Sequence, residues 1–150
     1  MQLQERVRME IPVKPTESEK NLALLVEKIM EPEEIYSEDL GIEKKIVARS
    51  KCISSLKKMH YLLRSERILD SARRYLKEGV ADKMIVVMLH KQALAAGRIS
   101  FVSEERESPL GAVKLYIYHD NPHDVIDWLA PPTRKGRPVF ERGVPEPDCY

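Results

Sequence analysis

At 150 residues, 43% hydrophobic and 33% charged, the chain has enough apolar material for one packed core. It lacks the low hydrophobicity and high net charge of a disordered segment, since its formal charge is only +1. The longest apolar run, Met84–Leu89, falls far short of the ~20 residues a spanning helix needs. The Met1-Gln-Leu-Gln-Glu-Arg start has no charged-then-apolar signal pattern, so a cytoplasmic protein with no membrane contact is expected.

The elements follow in chain order. Arg6–Val13 alternates, with Val7, Met9, Ile11 and Val13 on one face and Arg6, Arg8 and Glu10 on the other, the period of a half-buried strand. Thr16-Glu17-Ser18-Glu19 has the spacing of a capping box. Leu22, Leu25, Val26 and Ile29 then keep helical spacing up to Pro32. Ile35–Leu40 and Lys45–Arg49 read as strands joined at Gly41. Ile53, Leu56, Met59, His60 and Leu63 share one helical face. Ile68, Leu69, Ala72, Tyr75 and Leu76 share the next, and whether Ser65-Glu66 separates two helices is open on sequence alone.

Gly79 supplies a stop. Lys83–His90 reads as a strand, Lys91–Ala96 as helical turns ended by Gly97, and Arg98–Val102 and Val113–Tyr118 as strands around a Ser108–Gly111 turn. Asn121-Pro122-His123-Asp124 is a helix start, with Asn121 as the expected cap, and Val125, Ile126, Trp128 and Leu129 follow. Prolines 131, 132, 138, 145 and 147 predict an extended tail. Strands mixed with helices, without βαβ alternation, predict an α+β fold, a mainly antiparallel sheet with helices on one face. The expected organisation is an α+β domain over 1–130 and an extended tail over 131–150.

The small net charge hides an asymmetry. Between Lys44 and Lys77, eleven Lys and Arg residues face only Glu66 and Asp70, a charge of +9; the first 43 residues carry −6 and residues 78–150 carry −2. Lys57, Tyr61 and Arg64 fall at i, i+4 and i+7, and Arg67, Asp70 and Arg74 form a second stripe. Such a surface binds phosphates through its cations and can stack an unpaired base on the tyrosine. The expected nucleic-acid-facing residues are Lys57, Lys58, Tyr61, Arg64, Arg67, Arg73, Arg74 and Lys77, with Arg134, Lys135 and Arg137 from the tail. The competing expectation is that the basic helices pair with the acidic Glu31–Glu43 stretch of the same chain or with a partner protein.

Nothing in the chain points to catalysis. It has no phosphate-cradling glycine loop, no GxSxG and no HExxH. His119 and His123 stand four apart but straddle a helix start at Pro122, and no further ligand has suitable spacing, so no metal and no cofactor are expected. His60 reads as a hydrogen-bonded core residue and His90 as a strand end without a chemical role. Asp124, in the Asp120, Asp124 and Asp127 group, suits a helix N-terminus. Cys52 and Cys149 belong to no CxxC pair and are expected to be reduced thiols.

Four stretches together carry a resemblance. They are Pro12–Ser18, Leu63–Arg73, His90–Ala93 leading to Gly97–Phe101, and Asp120–Thr133 with its Ile-Asp-Trp-Leu-Ala-Pro-Pro-Thr ending. Between about Arg6 and Val139 the chain resembles an archaeal family grouped as a predicted RNA-binding domain and as a predicted exosome subunit. Some members of that family are fused to a dephospho-CoA kinase. The resemblance implies a fold similar to the large-subunit ribosomal protein that binds five-S RNA, commonly a homodimer, with no catalytic residue and no cofactor. His90 and Leu94 depart from the family pattern, where Asn and a small residue are usual. Three functions are thereby expected to compete: a module for ribosomal or exosome-associated structured RNA, a dimeric adaptor with no RNA contact, and a metabolic accessory protein.

Overall fold

The computed structural model describes residues 4–150; Met1, Gln2 and Leu3, read above as part of a start without a signal, lie outside it. Strands β1 (Val7–Pro12), β2 (Glu34–Asp39), β3 (Lys44–Ser50), β4 (Val80–Ala81), β5 (Met84–His90), β6 (Phe101–Val102) and β7 (Ala112–Tyr118) form one sheet. Their order is β2-β3-β1-β7-β5-β4, with β6 also on β5, and every pairing is antiparallel. The helices are α1 (Glu19–Ala23), α2 (Lys57–Ser65), α3 (Leu69–Glu78), α4 (Lys91–Ala95) and α5 (Pro122–Leu129). The α+β architecture expected from the sequence is therefore present.

Strand alternation decides where the core sits. Val7, Met9 and Ile11 of β1, Ile46 and Ala48 of β3, Ile85, Val87 and Leu89 of β5, and Leu115 and Ile117 of β7 point the same way. They join Met59, Leu63, Ala72, Leu76, Val125, Ile126 and Leu129 from the helices in one buried cluster. On the opposite sheet face Arg8, Glu10, Lys45, Tyr116 and Tyr118 are only partly covered.

Local departures have physical causes. The helix expected up to Pro32 is α1 followed by a 3-10 turn over Val26–Lys28. Its cap is Ser18, whose Oγ accepts from Asn21 N at 3.2 Å, so the expected Thr16 box is displaced by two residues. Helices α2 and α3 are separate because Arg67 turns the chain at φ 57°, a left-handed conformation unusual for a side chain of that size. His90 caps α4, its Nδ1 accepting from Ala93 N at 3.1 Å, which is the role the sequence did not assign it. Asn121 does not cap α5 through its side chain; its N–H instead donates to Nδ1 of buried His119.

Lys91, at 2% exposure, donates to Glu17 Oε1 and to the carbonyls of Pro12 and Leu110 at 2.6–2.8 Å. This ammonium ties the loop after β1 to the turn before β7, and all three of its donors are used.

The tail is more structured than its prolines suggest. Strands β8 (Thr133–Arg134) and β9 (Arg137–Pro138) make a hairpin turned by Lys135 and Gly136, both at positive φ, as a two-residue type I′ turn requires. Beyond it the chain returns to the core. Ile53 N donates to Asp148 O, Tyr150 N to Lys51 O, and Ser54 N to Asp148 Oδ1. Arg6 stacks on the Tyr150 ring at 4.2 Å. Cys52 and Cys149 form a disulfide across 97 residues, which corrects the expectation of two reduced thiols. Spacing could not reveal the pair, because the strap brings Cys149 home through backbone bonds. Among the described residues the group Cys52, Asp148 and Cys149 has ligand-type side chains close together, but the disulfide uses both sulfurs.

Candidate nucleic-acid interface

The structure sorts the basic segment into consumed and free cations. In β3, Lys44 pairs with Glu19, Lys45 with Glu10, and Arg49 with Glu5 and Glu34. Acids of the same chain thus neutralise the strand part of the +9 segment, but of these only Glu34 lies in the Glu31–Glu43 stretch that the competing expectation paired with the basic helices. Burial alone would raise the Glu10 carboxyl, but hydrogen bonds from Arg8 and Lys45 outweigh it and hold the group below its ordinary range.

Arg64 and Arg73, both expected on the RNA-facing surface, have internal partners. Arg64 donates to the carbonyls of His60, Leu129 and Trp128 at 2.8–3.2 Å. It also makes a two-pronged pair with Glu141 at 2.7 and 2.9 Å. A guanidinium there satisfies carbonyls left open at the α5 C-terminus and favours the negative end of its dipole. Arg73 donates to Asp127 Oδ1 at 2.9 Å and to Ala130 O at 3.0 Å. Asp127 also takes Arg142, so the acidic residue nearest the helix end serves as a tail anchor.

Lys57, Lys58, Arg67, Arg74 and Lys77 are exposed and, among the described residues, have no carboxylate within ion-pair distance. Arg74 lies over the Tyr75 ring at 5.0 Å. Tyr61 is 69% exposed, one turn beyond Lys57. The tail cations Arg134, Lys135 and Arg137 are likewise exposed on the β8–β9 hairpin. Thr133 Oγ1 donates to Asp70 Oδ1, which sits between Arg67 and Arg74 on the second stripe. That contact sets the basic hairpin beside the basic flank of α3. Exposed cations thus occur on α2, at the Arg67 turn, on α3 and on the hairpin.

His60 is half-buried and stacks on Trp128, ring centroids 5.1 Å apart, so ring contact fills the place expected for a core hydrogen bond. Burial, and then the positive charge of Arg64, hold its pKa below the ordinary 6.5. The unfolded chain therefore binds more protons as pH falls through 6.5 toward the folded value, and stability declines across that window. Melting of the wild type is expected at lower temperature at about pH 5.5 than at about pH 7.5, with His60→Gln removing this part of the dependence. Equal pH dependence in both proteins would contradict it.

An α+β fold that leaves cations unneutralised on two adjacent helices defines a class of nucleic-acid-binding candidates. Residues 6–118 match the family model described as RNA binding. A UPF0201 protein of Aeropyrum pernix is 48% identical over 143 residues, covering 94% of this chain and 95% of the relative. One from Sulfurisphaera tokodaii is 42% identical, covering 93% and 97%. The solved UPF0201 protein of Methanococcus jannaschii superimposes with a TM-score of 0.74 at 26% identity, over 90% of this chain and 99% of that one. The chain belongs to the family whose model is described as RNA binding, together with the archaeal UPF0201 proteins. Among the described residues no helix is long and apolar enough to cross a membrane.

Proposed function

We propose that the protein binds structured RNA, without catalysis, through the exposed cations of α2, α3 and the β8–β9 hairpin. The observation that carries this reading is the sorting itself. Among the described residues Lys57, Lys58, Arg67, Arg74, Lys77, Arg134, Lys135 and Arg137 have no carboxylate within ion-pair distance, whereas β3 cations are neutralised by their own chain. Exposed cations that are not held in internal ion pairs are suited to neutralising phosphates. Tyr61 supplies a stacking face beside Lys57 and Lys58.

Binding of a stem-loop RNA and of a plain RNA duplex by matched variants tests it. Lys57→Ala/Lys58→Ala is expected to weaken both RNAs with melting unchanged. Tyr61→Ala is expected to cost about 1–3 kcal/mol on the stem-loop and little on the duplex. Arg64→Ala is expected to lower stability, because it frees three carbonyls and Glu141. If the wild type binds neither RNA near physiological salt, the reading fails. Recovery of the protein from cells with and without nuclease, with sequencing of the RNA that co-purifies, then distinguishes ribosomal from exosome-associated RNA.

A homodimer belongs to the same proposal, with the helix-free sheet face as its surface. There Arg8, Lys45 and Arg49 are paired with Glu5, Glu10 and Glu34 inside one protomer. Burial raises the pKa of Tyr116 and Tyr118 on that face. Charges already paired can enter an interface without being left alone there. Sedimentation yielding only the 17.3 kDa species at micromolar concentration would contradict the dimer.

A further inference from the structure

A groove runs between the 3-10 turn and α2. Glu27 and Lys28 line it from the turn, Lys57, Lys58, Tyr61 and Leu62 from the helix, and Gly97 from the segment after α4. Its volume is about 430 Å³, within the range of small-ligand sites and far too small for a duplex. Leu62 is half-buried and Tyr61 largely exposed, so the groove offers an apolar floor and an aromatic wall. Three lysines surround it, and one carboxylate, Glu27, lines it with no hydrogen-bond or ion-pair partner among the described residues.

We infer that this groove receives a single unpaired guanine of the bound RNA, an inference that rests on the RNA-binding reading above. A planar base stacks on Tyr61, and its phosphate meets the lysines. Glu27 then selects among bases by their edges. A carboxylate only accepts hydrogen bonds. Guanine presents two adjacent donors, N1–H and the 2-amino group, and leaves O6 and N7 to accept from a lysine. Adenine and cytosine offer one amino group beside a ring nitrogen that repels the carboxylate, and uracil offers one N–H between two carbonyl oxygens. The edge that Glu27 reads is used up in a base pair, so the guanine must be unpaired.

The test is fluorescence anisotropy with stem-loop RNAs that differ only in one unpaired loop nucleotide, G, A, C, U or inosine. The wild type is expected to bind the G loop about 10-fold more tightly than the A, C and U loops. Inosine, lacking the 2-amino group, falls between. Glu27→Gln is expected to collapse that preference without weakening the other RNAs, because the substitution removes a negative charge. Equal wild-type affinity for all five RNAs would overturn the guanine site and leave RNA binding standing. A Glu27→Gln variant that binds every RNA more tightly by one common factor would also overturn it, since Glu27 would then only repel phosphate. Failure of the wild type to bind any of them would remove the RNA-binding reading and this inference together.

Discussion

Replacing Cys149 with serine is expected to lower stability by about 4–5 kcal/mol, a large share of the ~5–15 kcal/mol of a typical domain. The disulfide closes a loop of 97 residues, and the loss of unfolded-chain entropy from a cross-link of about 100 residues is worth ~4.7 kcal/mol. The cross-link also fixes the strap formed by the Ile53–Asp148, Ser54–Asp148 and Tyr150–Lys51 bonds. Denaturant titration of the wild type with and without reductant, beside Cys149→Ser, measures the effect. The reduced wild type and the variant should unfold together at lower denaturant than the oxidised protein. Coincidence of all three curves would show that the strap needs no covalent closure.

Trp128→Ala is expected to cost about 3–5 kcal/mol. The ring is 4% exposed and stacks on His60 of α2. Its neighbours Val125, Ile126 and Leu129 are fully buried, so the emptied volume has apolar walls on the core side. The Trp128 carbonyl accepts from Arg64, so displacement of α5 also disturbs the Arg64–Glu141 anchor of the tail. Thermal melts of Trp128→Ala and Trp128→Phe check this, with the phenylalanine variant expected between wild type and alanine. An unchanged melt for Trp128→Ala would mean that α5 is held without its ring.

What the sequence made legible was whatever depends on near neighbours. Alternation in β1 and β7, the β2–β3 hairpin at Gly41, and the apolar faces of α2 and α3 follow from periods of two and 3.6. The helix expected up to Pro32 is shorter in the fold because Leu22, Leu25, Val26 and Ile29 are equally well buried by a short helix and a 3-10 turn. Periodicity also could not foresee that Arg67 would adopt a left-handed turn.

The candidate interface divides along the same line. Helical spacing placed Lys57, Lys58 and Tyr61 on an exposed surface, and the charge count flagged the segment. Which cations stay free depends on groups distant in sequence. The partners of Arg64 include Leu129 O and Glu141, and those of Arg73 are Asp127 and Ala130 O. The groove was invisible for the same reason, because Glu27 and Gly97 reach it from separate segments.

The central claim, that phosphates are met by the free cations of α2 and the hairpin, is tested most directly by the salt dependence of RNA binding. Each phosphate contact contributes a slope of roughly 0.7–0.9 in log affinity against log salt. A Lys57→Ala/Lys58→Ala/Arg134→Ala/Arg137→Ala variant, with folding verified by circular dichroism, is therefore expected to bind a structured RNA with a slope shallower by about three. A folded variant with the wild-type affinity and slope, or a wild type that binds no RNA near physiological salt, would contradict it.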